Sequence, residues 1–541
     1  MPNSRRRSYI AVPVIIAVGS LAAGLFAGRN VSAATPADDA ATQSLKTFSA
    51  IYEAVEKNFA DEVKAEKSIY QGAIPAMLRT LDPHSNFYDP RAFQEMREGQ
   101  RGEYFGVGMT VATRNSQTIV IAPFPGSPAA KAGVRPGDMI QMVNDKKTEG
   151  LTTTEVADLL RGQRGTKVQV QVGREGVDTP VVFNITRDAI PRFAVSGGFY
   201  VKPGVAFLKI ENFSNENTSQ EMEAKFKALG EKNLQGLVLD LRGNPGGLLN
   251  EGVAVAEHFL KKGDLIVFHH GRSSPNKNYT AKSDGAGRNY PVVVLVDRYS
   301  ASAAEIVSGA LQDHDRAWIL GEPTFGKGLV QTVYPMGDNT ALALTTAGYY
   351  TPSGRWIQRD YTNISFLDYY QHTNLDEKNL QDVKTTDSGR TVYGGGGITP
   401  DEKWEPAKPN PFQIAVRRKD AFFNFSAKYF GKRDTKLPSG WAPDQAVVTE
   451  FKTFLKEKEV EFTDADFTAN QDWMRSELKR EMYVAAFSTD ESLGVQYEQD
   501  PMVLKAIESM PKAKELLGTA KNMLVKRMKA QESAPLVAKV R

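Results

Sequence analysis

Residues 291–311 read PVVVLVDRYSASAAEIVSGAL, and this stretch decides the class of fold. The apolar, β-branched run Pro291–Val296 predicts a strand that is buried on both faces. A short polar turn follows it, and apolar residues then recur at helical spacing. Two earlier runs, Val205–Ile210 and Gly236–Leu241, are likewise followed by a loop and a helical pattern. Strands that alternate with helices predict an α/β core with a largely buried sheet, which we assign to residues 189–409.

Ser302 lies in the turn between this strand and this helix, close to the N-terminus of the helix. The position suits a nucleophile, because the hydroxyl stands beside backbone N–H groups that have no partner within the helix. The N–H of Ala303 can point at an oxyanion that forms there. The alternative is that Ser300 or Ser302 only caps the helix. The nucleophile-elbow pattern G-x-S-x-G is absent, so Ser302 alone does not establish catalysis.

A second stretch places Lys327 between two glycines, just before a strand-like run. A solvated lysine has a pKa of about 10.4, and burial lowers it because the charged form loses its hydration. A neutral Lys327 can take the proton of a serine hydroxyl, and Gln331 can accept a hydrogen bond from the amine and orient it. The alternatives are a surface lysine and a phosphate contact. The phosphate-loop motif is not met, because Gly328 follows Lys327.

A third stretch, Asp240–Gly247, is a glycine-rich loop after a buried strand. The N–H of Gly246 or of Gly247 can supply a second donor to an oxyanion. Asp240 and Arg242 are expected to form a structural ion pair. The alternative is a glycine-rich turn with no catalytic part.

Residues 103–188 have a β-rich pattern with a strand predicted over Gln117–Ala122 and a short helix over Ser127–Gly133. A second helix is expected to begin at a capping box formed by Thr152 and Glu155. The region resembles a PDZ domain, and the resemblance implies a peptide-binding groove. The alternative is a small β-rich domain without a ligand.

The groove is expected to use backbone groups of its opening loop. N–H groups around the loop glycines can hold a C-terminal carboxylate, and the strand that follows can pair with an extended peptide. We assign peptide binding to Phe105, Gly106, Val107 and Gly108.

Several motifs together resemble the carboxyl-terminal processing, or tail-specific, protease family. In the family's order over residues 42–405, they are Leu81–Ser85, the PDZ-like segment, Asp240–Gly247, Ser300–Glu305, Thr324–Gln331, Tyr350–Arg355 and Gly397–Asp401. The resemblance implies a serine endopeptidase with a Ser-Lys dyad assisted by a glutamine. By motif, these roles fall on Ser302, Lys327 and Gln331. The oxyanion donors would be Ala303 and either Gly246 or Gly247.

Two parts of the chain depart from this resemblance: the stretch Asp360–Tyr393 and a helical C-terminal extension, residues 410–541. Neither disturbs the dyad. The rival function is a noncatalytic PDZ-type peptide-binding protein on a protease scaffold.

The N-terminal 102 residues are expected to comprise a targeting segment and a helical region, residues 34–102. Arg5–Arg7, an apolar stretch Tyr9–Ala27 and small residues up to Ala34 are typical of a secretory signal. The alternative is an uncleaved membrane anchor over residues 1–33. In both cases we expect an exported protein, periplasmic or anchored to the outer face of the cytoplasmic membrane, whose substrates are exported proteins recognised by their C-terminal tails.

Composition excludes several other chemistries. The chain has no cysteine, which excludes disulfides, a cysteine nucleophile and thiolate metal sites. Its net charge of +3 gives no indication of nucleic-acid binding. Of the six histidines, His314 lies at a helix end and is expected to be structural, and the pair His269-His270 lacks a third metal ligand at a recognised spacing. We therefore expect no metal or other cofactor. The sequence leaves the oligomeric state open.

Overall fold

The computed structural model describes residues 36–532, apart from residues 115, 273, 363, 372–378, 432, 434–436, 439 and 488. The chain divides into two compact units, Met1–Thr80 and Leu81–Arg541. The proposed signal peptide or anchor lies outside the described residues. Over the ranges that are described, no helix is long and apolar enough to cross a membrane.

The first unit is helical where it is described, as the sequence predicts. Helix α1 spans Pro36–Asn58, and a π-helical stretch, Glu66–Ala73, continues into α2, Ile74–Arg79. The apolar side chains of α1, such as Phe48 and Ile51, lie exposed on this helix.

The second unit begins with a strand that the sequence did not predict. Strand β1 (Asn86–Tyr88) precedes helix α3 (Pro90–Arg101), whose first turn is capped by the Asp89 carboxylate. The segment Asn86–Tyr88 pairs antiparallel with residues 341–343 of the core. Part of the region expected to be helical therefore belongs to the core that follows the PDZ-like region.

The PDZ-like region forms a small domain built on an antiparallel sheet. Its elements are β2 (Glu103–Gly106), β3 (Met109–Arg114), β4 (Gln117–Pro123), α4 (Pro128–Ala132), β5 (Met139–Val143), β6 (Lys146–Lys147), α5 (Thr153–Leu160), β7 (Lys167–Gly173), β8 (Val181–Thr186) and β9 (Asp188–Pro191). The sheet has the order β3-β4-β5-β7-β8, so β3 lies at its edge, and β2 pairs with β9. The capping box of Thr152 and Glu155 is confirmed, and α4 ends at Gly133 in the left-handed conformation.

The core sheet confirms the predicted α/β class. Its strands and helices are β10 (Val195–Lys202), β11 (Val205–Ile210), α6 (Thr218–Leu229), β12 (Gly236–Asp240), α7 (Leu249–Glu257), β15 (Val292–Val296), α8 (Ala303–Asp313), β16 (Trp318–Gly321) and β21 (Glu402–Lys403). The order is β10-β11-β12-β15-β16-β21, parallel from β11 onward. Because the loops after β12 and β15 leave the same edge, they meet there, and the site is built on them.

A second core sheet carries the segment after the lysine loop. It contains β1, β13 (Leu265–Gly271), β14 (Ser274–Thr280), β17 (Leu329–Pro335) and β18 (Ala341–Tyr350). Strand β18 pairs along one side with β17 and on the other with β1 and β13. The outer edge of β17 has no partner strand in the described part of the chain.

The departures from the family pattern fold into separate elements. The stretch Asp360–Tyr393 contains α9 (Phe366–Gln371), β19 (Asn379–Thr385) and the start of β20 (Thr391–Gly394). The C-terminal extension contains α10 (Pro411–Arg418), α11 (Ala421–Gly431), α12 (Gln445–Glu457), α13 (Asp464–Ala469), α14 (Gln471–Ala486), α15 (Thr489–Glu498) and α16 (Pro501–Glu532). Helices α10–α14 enclose an apolar core of their own.

Helix α16 completes the core rather than extending away from it. Val292 and Val294 of β15 point into the face covered by α6–α8, whereas Val293 and Leu295 point to the opposite face. There they pack with residues of α16 such as Val503. The strand is apolar on both faces because helices cover both faces, and the second cover comes from the far C-terminal part of the chain.

Candidate active site

Ser302 stands at the end of β15 in a strained backbone conformation. It is the N-cap residue of α8, with φ 55° and ψ −114°, a region that side chains other than glycine rarely adopt. Gly246 of the glycine-rich loop lies directly against it, because a Cβ at Gly246 would lie 2.6 Å from Ser302 Cβ. The turn therefore presents the Ser302 side chain toward the loop after β12.

Ser302 does take part in a cap: it forms a capping box with Glu305 at the start of α8, in which the Glu305 carboxylate accepts the Ser302 N–H at 2.8 Å. The Ser300 hydroxyl instead stabilises the turn, since it accepts from the Asp297 N–H at 2.9 Å and donates to the Leu241 carbonyl at 2.8 Å. Ser300 is structural, whereas a Ser302 hydroxyl that accepts an N–H in the capping box still has its own hydrogen to give to a base.

Glu305 joins the turn that carries Ser302 to the loop that carries Lys327, and the sequence analysis missed it. Its buried carboxylate accepts the N–H of Ser302 at 2.8 Å, of Gly326 at 2.7 Å and of Lys327 at 2.9 Å, together with the Thr324 hydroxyl. Burial raises the pKa of Glu305 to about 7, opposed by these donors. A glutamate three residues after an N-cap serine is a known capping pattern, and that signal could have found it.

Lys327 and Gln331 line the same cavity as Ser302. Burial lowers the pKa of Lys327, while the charges of Glu305 and Asp82 act in the opposite direction. The Gln331 amide donates to Thr345 Oγ1 at 3.2 Å. The hydrogen bonds among described residues do not include one from Ser302 Oγ to Lys327 Nζ, a contact that catalytic groups often complete only with substrate bound.

The two loops supply free N–H groups beside Ser302. Within the described structure, the N–H of Ala303 and of Gly247 have no acceptor. The Gly246 N–H instead donates to Asn244 Oδ1 at 2.8 Å. Gly247 is therefore better placed than Gly246 to hold an oxyanion. Its φ of +147° and the approach of Phe213 and Ser214, 2.2–2.5 Å from an added Cβ, require glycine there.

One cavity of about 570 Å³ brings the functional groups together. Ser302, Lys327, Gln331 and Gly247 all line it. Leu329, Val330 and Val333 also line it, and they belong to β17, whose outer edge has no partner strand in the described part of the chain. Apolar side chains elsewhere in the lining are Met96, Phe193, Leu248, Leu249, Ile306 and Ala343.

His84 also lines this cavity, although the sequence analysis gave it no role. Burial and the charge of Lys327 lower the pKa of His84 to about 3, so the ring is neutral. The Asp82 carboxylate accepts the N–H of His84 and of Ser85, both at 2.7 Å, and holds the turn. His84 lies within the motif Leu81–Ser85, one of those that carry the family resemblance, and this was the sequence signal for it.

The structure also locates the predicted Asp240–Arg242 ion pair and His314, the histidine expected to be structural. Arg242 pairs with Asp240 at 2.7 Å and with Asp500, at the start of α16, at 3.0 Å. His314, at the end of α8, contacts the Asp387 carboxylate at 2.8 Å, and its pKa is raised to about 9. Both groups tie the core to later parts of the chain and lie outside the cavity lining.

The predicted peptide-binding loop precedes the edge strand of the PDZ-like sheet. Phe105 and Gly106 are in β2, paired with β9, and Phe105 is exposed. The N–H groups of Val107 and Gly108 have no acceptor among the described residues. Helix α5 lies beside β3, with the Thr113 and Thr153 hydroxyls 2.5 Å apart. A groove between an edge strand and a helix, closed by a loop with free N–H groups, is the arrangement expected for binding a peptide C-terminus.

Comparison with known proteins gives the family. A model of peptidase family S41 matches residues 204–364, and a PDZ-domain model matches residues 119–174. A carboxy-terminal-processing protease of Bartonella bacilliformis is 40% identical over 320 residues, 58% of this chain and 73% of that protein. The chain belongs to peptidase family S41. It is a serine-type protease with a PDZ domain.

Other S41 relatives extend the comparison. Carboxy-terminal processing protease CtpB of Bacillus subtilis is 32% identical over 365 residues, 64% of this chain and 75% of the relative. A solved photosystem II D1 C-terminal processing protease shares 29% identity, with a TM-score of 0.33, over 65% of this chain and 85% of that one.

Proposed function

We propose that this S41 peptidase cleaves peptide bonds by acyl-enzyme chemistry with Ser302 as nucleophile and Lys327 as general base. The neutral amine of Lys327 takes the Ser302 proton while Oγ attacks the substrate carbonyl carbon. The carbonyl oxygen becomes an oxyanion that accepts the N–H of Ala303 and of Gly247. The C–N bond then breaks, and the Lys327 ammonium protonates the leaving amine. Water, deprotonated by Lys327, hydrolyses the ester and regenerates Ser302.

Burial of the amine supports Lys327 as the base. An ammonium at the ordinary lysine pKa would stay protonated at neutral pH and could accept no proton. Lys327 lies in the cavity wall, where loss of hydration disfavours the charged form. Gln331, on the same wall, is proposed to orient the amine when substrate brings the groups together.

The free edge of β17 is proposed to hold the substrate. An extended peptide that pairs with Leu329–Val333 lies along the cavity and brings a peptide bond to Ser302. The PDZ domain is proposed to bind the C-terminal tail of the same substrate through the loop Phe105–Gly108 and the edge of β3. Tail binding and cleavage then occur on one substrate chain, which raises the effective concentration of the scissile segment at Ser302.

The substrates are proposed to be exported proteins. The motive is the signal-like N-terminal sequence, which predicts a periplasmic enzyme or one anchored outside the cytoplasmic membrane. A fusion of residues 1–40 to alkaline phosphatase tests this directly. Activity in the periplasmic fraction is expected, and a fusion that stays inactive in the cytoplasm would exclude export by this segment.

The observation that carries the proposal is the shared cavity of Ser302, Lys327 and Gly247. The test uses an unfolded protein with an apolar C-terminal tail and the same protein ending in two aspartates. The wild type should cleave the first faster, and Ser302→Ala should cleave neither. Ser308→Ala is the matched control, because among the described residues its hydroxyl bonds only to the Ala304 carbonyl of the same helix. Tail binding without cleavage by the wild type would instead favour the noncatalytic peptide-binding protein.

A further inference from the structure

The stretch Asp360–Tyr393 contributes a tyrosine that packs against both the loop of Ser302 and the loop of Lys327. Tyr369 of α9 is 2% exposed and packs with Ala301, next to the nucleophile, and with Phe325, close to the lysine. The Tyr369 and Phe325 rings meet edge to face, with centroids 5.4 Å apart. A segment that the family resemblance does not cover therefore contributes to the surroundings of the active site.

The hydrogen of the Tyr369 hydroxyl has a defined acceptor. The Gln358 amide donates one N–H to the Arg359 carbonyl at 2.8 Å and the other to Tyr369 Oη at 3.2 Å. Tyr369 Oη thus accepts from Gln358, and it lies 2.9 Å from His84 Nε2; we assign the Tyr369 hydrogen to this contact, because Nε2 is the remaining hydrogen-bond partner of the hydroxyl among the described residues. Gln358 Oε1 accepts the Gly328 N–H at 2.8 Å, so the chain of hydrogen bonds ends beside Lys327.

The same assignment decides the tautomer of His84. With Nε2 as the acceptor, the ring proton lies on Nδ1, 3.4 Å from the Tyr370 hydroxyl, which donates its own hydrogen to the Pro83 carbonyl at 2.9 Å. The imidazole stands edge-on to the Tyr369 and Tyr370 rings and lines the cavity with Lys327. The charged groups acting on His84 are Lys327, Asp82 and Arg359, and those acting on Lys327 are Glu305 and Asp82.

We propose that Tyr369 is a positioning residue for the Lys327 base, acting through His84. Its hydrogen bond holds a neutral imidazole in the cavity wall, where the ring excludes water and adds no second positive charge. Without that bond the imidazole loses its fixed position and water reaches the amine. A hydrated amine favours the ammonium form, so less base is present at neutral pH. This inference rests on the proposed role of Lys327.

The test is the pH dependence of kcat/KM for Tyr369→Phe, measured from pH 6 to pH 10 on the full mature chain. The part of the profile in which kcat/KM rises with pH, the rising limb, should move to higher pH by about one unit. At the low-pH end of this limb kcat/KM should then fall about tenfold, whereas on the high-pH plateau it should stay within about twofold of the wild type. A merely structural role would lower kcat/KM by the same factor at every pH. Tyr361→Phe is the control, since this ring packs in the same cluster and its hydroxyl has no hydrogen-bond partner among the described residues.

A second variant tests whether the effect passes through His84. His84→Gln should shift the limb as Tyr369→Phe does, and the double variant should shift it no further. The inference is overturned if the Tyr369→Phe profile superimposes on the wild type, falls equally at all pH values, or adds fully to that of His84→Gln. Lys327→Ala distinguishes failure of the proposed base from failure of the role of Tyr369. Turnover by Lys327→Ala refutes Lys327 as the base. If Lys327→Ala is inactive and the pH profile of Tyr369→Phe is unshifted, only the role of Tyr369 is refuted.

Discussion

One carboxylate oxygen of Glu305 accepts the backbone N–H of Ser302 at 2.8 Å and that of Lys327 at 2.9 Å. The proposed nucleophile and the proposed base come from separate loops, and this oxygen holds their backbones together. The Tyr349 hydroxyl adds a second link, because it contacts the carbonyl oxygens of the same two residues. The proposed Ser-Lys dyad is thus positioned by contacts to the N–H and to the carbonyl oxygen of both residues.

Glu305→Gln should lower kcat/KM by about 100-fold, the scale associated with displacing a reacting group by about 1 Å. Both carboxylate oxygens accept two donors each, and the amide nitrogen of glutamine can accept none. Steady-state kinetics on an unfolded substrate measures the loss. Glu257→Gln is the control, since that carboxylate also accepts a backbone N–H but lies outside the cavity lining. Equal activity of the two variants would contradict the positioning role of Glu305.

Gly247→Ala should lower kcat by about 100- to 1000-fold, the effect of removing one oxyanion donor. The added Cβ would come within 2.2 Å of the Phe213 backbone, so the loop must move and carry its N–H away. Gly243→Ala lies in the same loop, also at positive φ, but its Cβ meets nothing within 4 Å. If the two variants have the same kcat, Gly247 is not the donor.

Gly108→Ala should weaken binding of a peptide with a free apolar C-terminus at least about tenfold, while cleavage of a short tailless peptide stays within about twofold. The Cβ would lie 2.5 Å from Ser127 Cβ at a φ of +77°, which displaces the loop amides. Fluorescence anisotropy of a labelled tail peptide, with Ser302→Ala as background, measures the affinity. Gly150→Ala, at φ +76° in open space, is the control and should bind normally. Unchanged affinity in Gly108→Ala would place the tail site elsewhere.

Val503→Asp should lower the Tm on the order of 10 °C, because it buries a carboxylate against the core sheet. Val503 is fully buried between α16 and the strands, whereas its neighbour Leu504 is 46% exposed. Leu504→Asp should leave the Tm within about 2 °C. Thermal denaturation followed by circular dichroism compares them. Similar Tm values would show that α16 is dispensable to the core.

Elements that are determined by a few neighbouring residues could be predicted from the sequence. The run Val205–Ile210 has the bounds predicted for it, and Thr152 caps α5 as its spacing indicates. Ser302, Lys327 and Gly247 share the cavity because the loops after adjacent parallel strands meet at one edge, which strand order alone suggests.

Long-range partners could not be predicted from the same patterns. Strand β1 has only three residues, too few for an alternating pattern, and its partner lies in the later part of the chain. The pairing of α16 with the core sheet depends on a narrow apolar stripe within a long, charged helix. Tyr369 reaches His84 only once both segments are folded, and an insertion carries no local signal for its contact. Glu305 was accessible through its spacing to Ser302, but its contacts with the lysine loop were not.

Turnover of an unfolded, apolar-tailed substrate by Lys327→Ala tests the central claim most directly. Lys262→Ala, on an exposed loop, is the matched control, and tail-peptide affinity and Tm establish that both variants are folded and bind substrate. Lys327 as the general base predicts no detectable cleavage by Lys327→Ala, with tail binding and Tm close to wild type and full activity in Lys262→Ala. Cleavage by Lys327→Ala within tenfold of the wild-type kcat/KM would contradict it and require another base for Ser302.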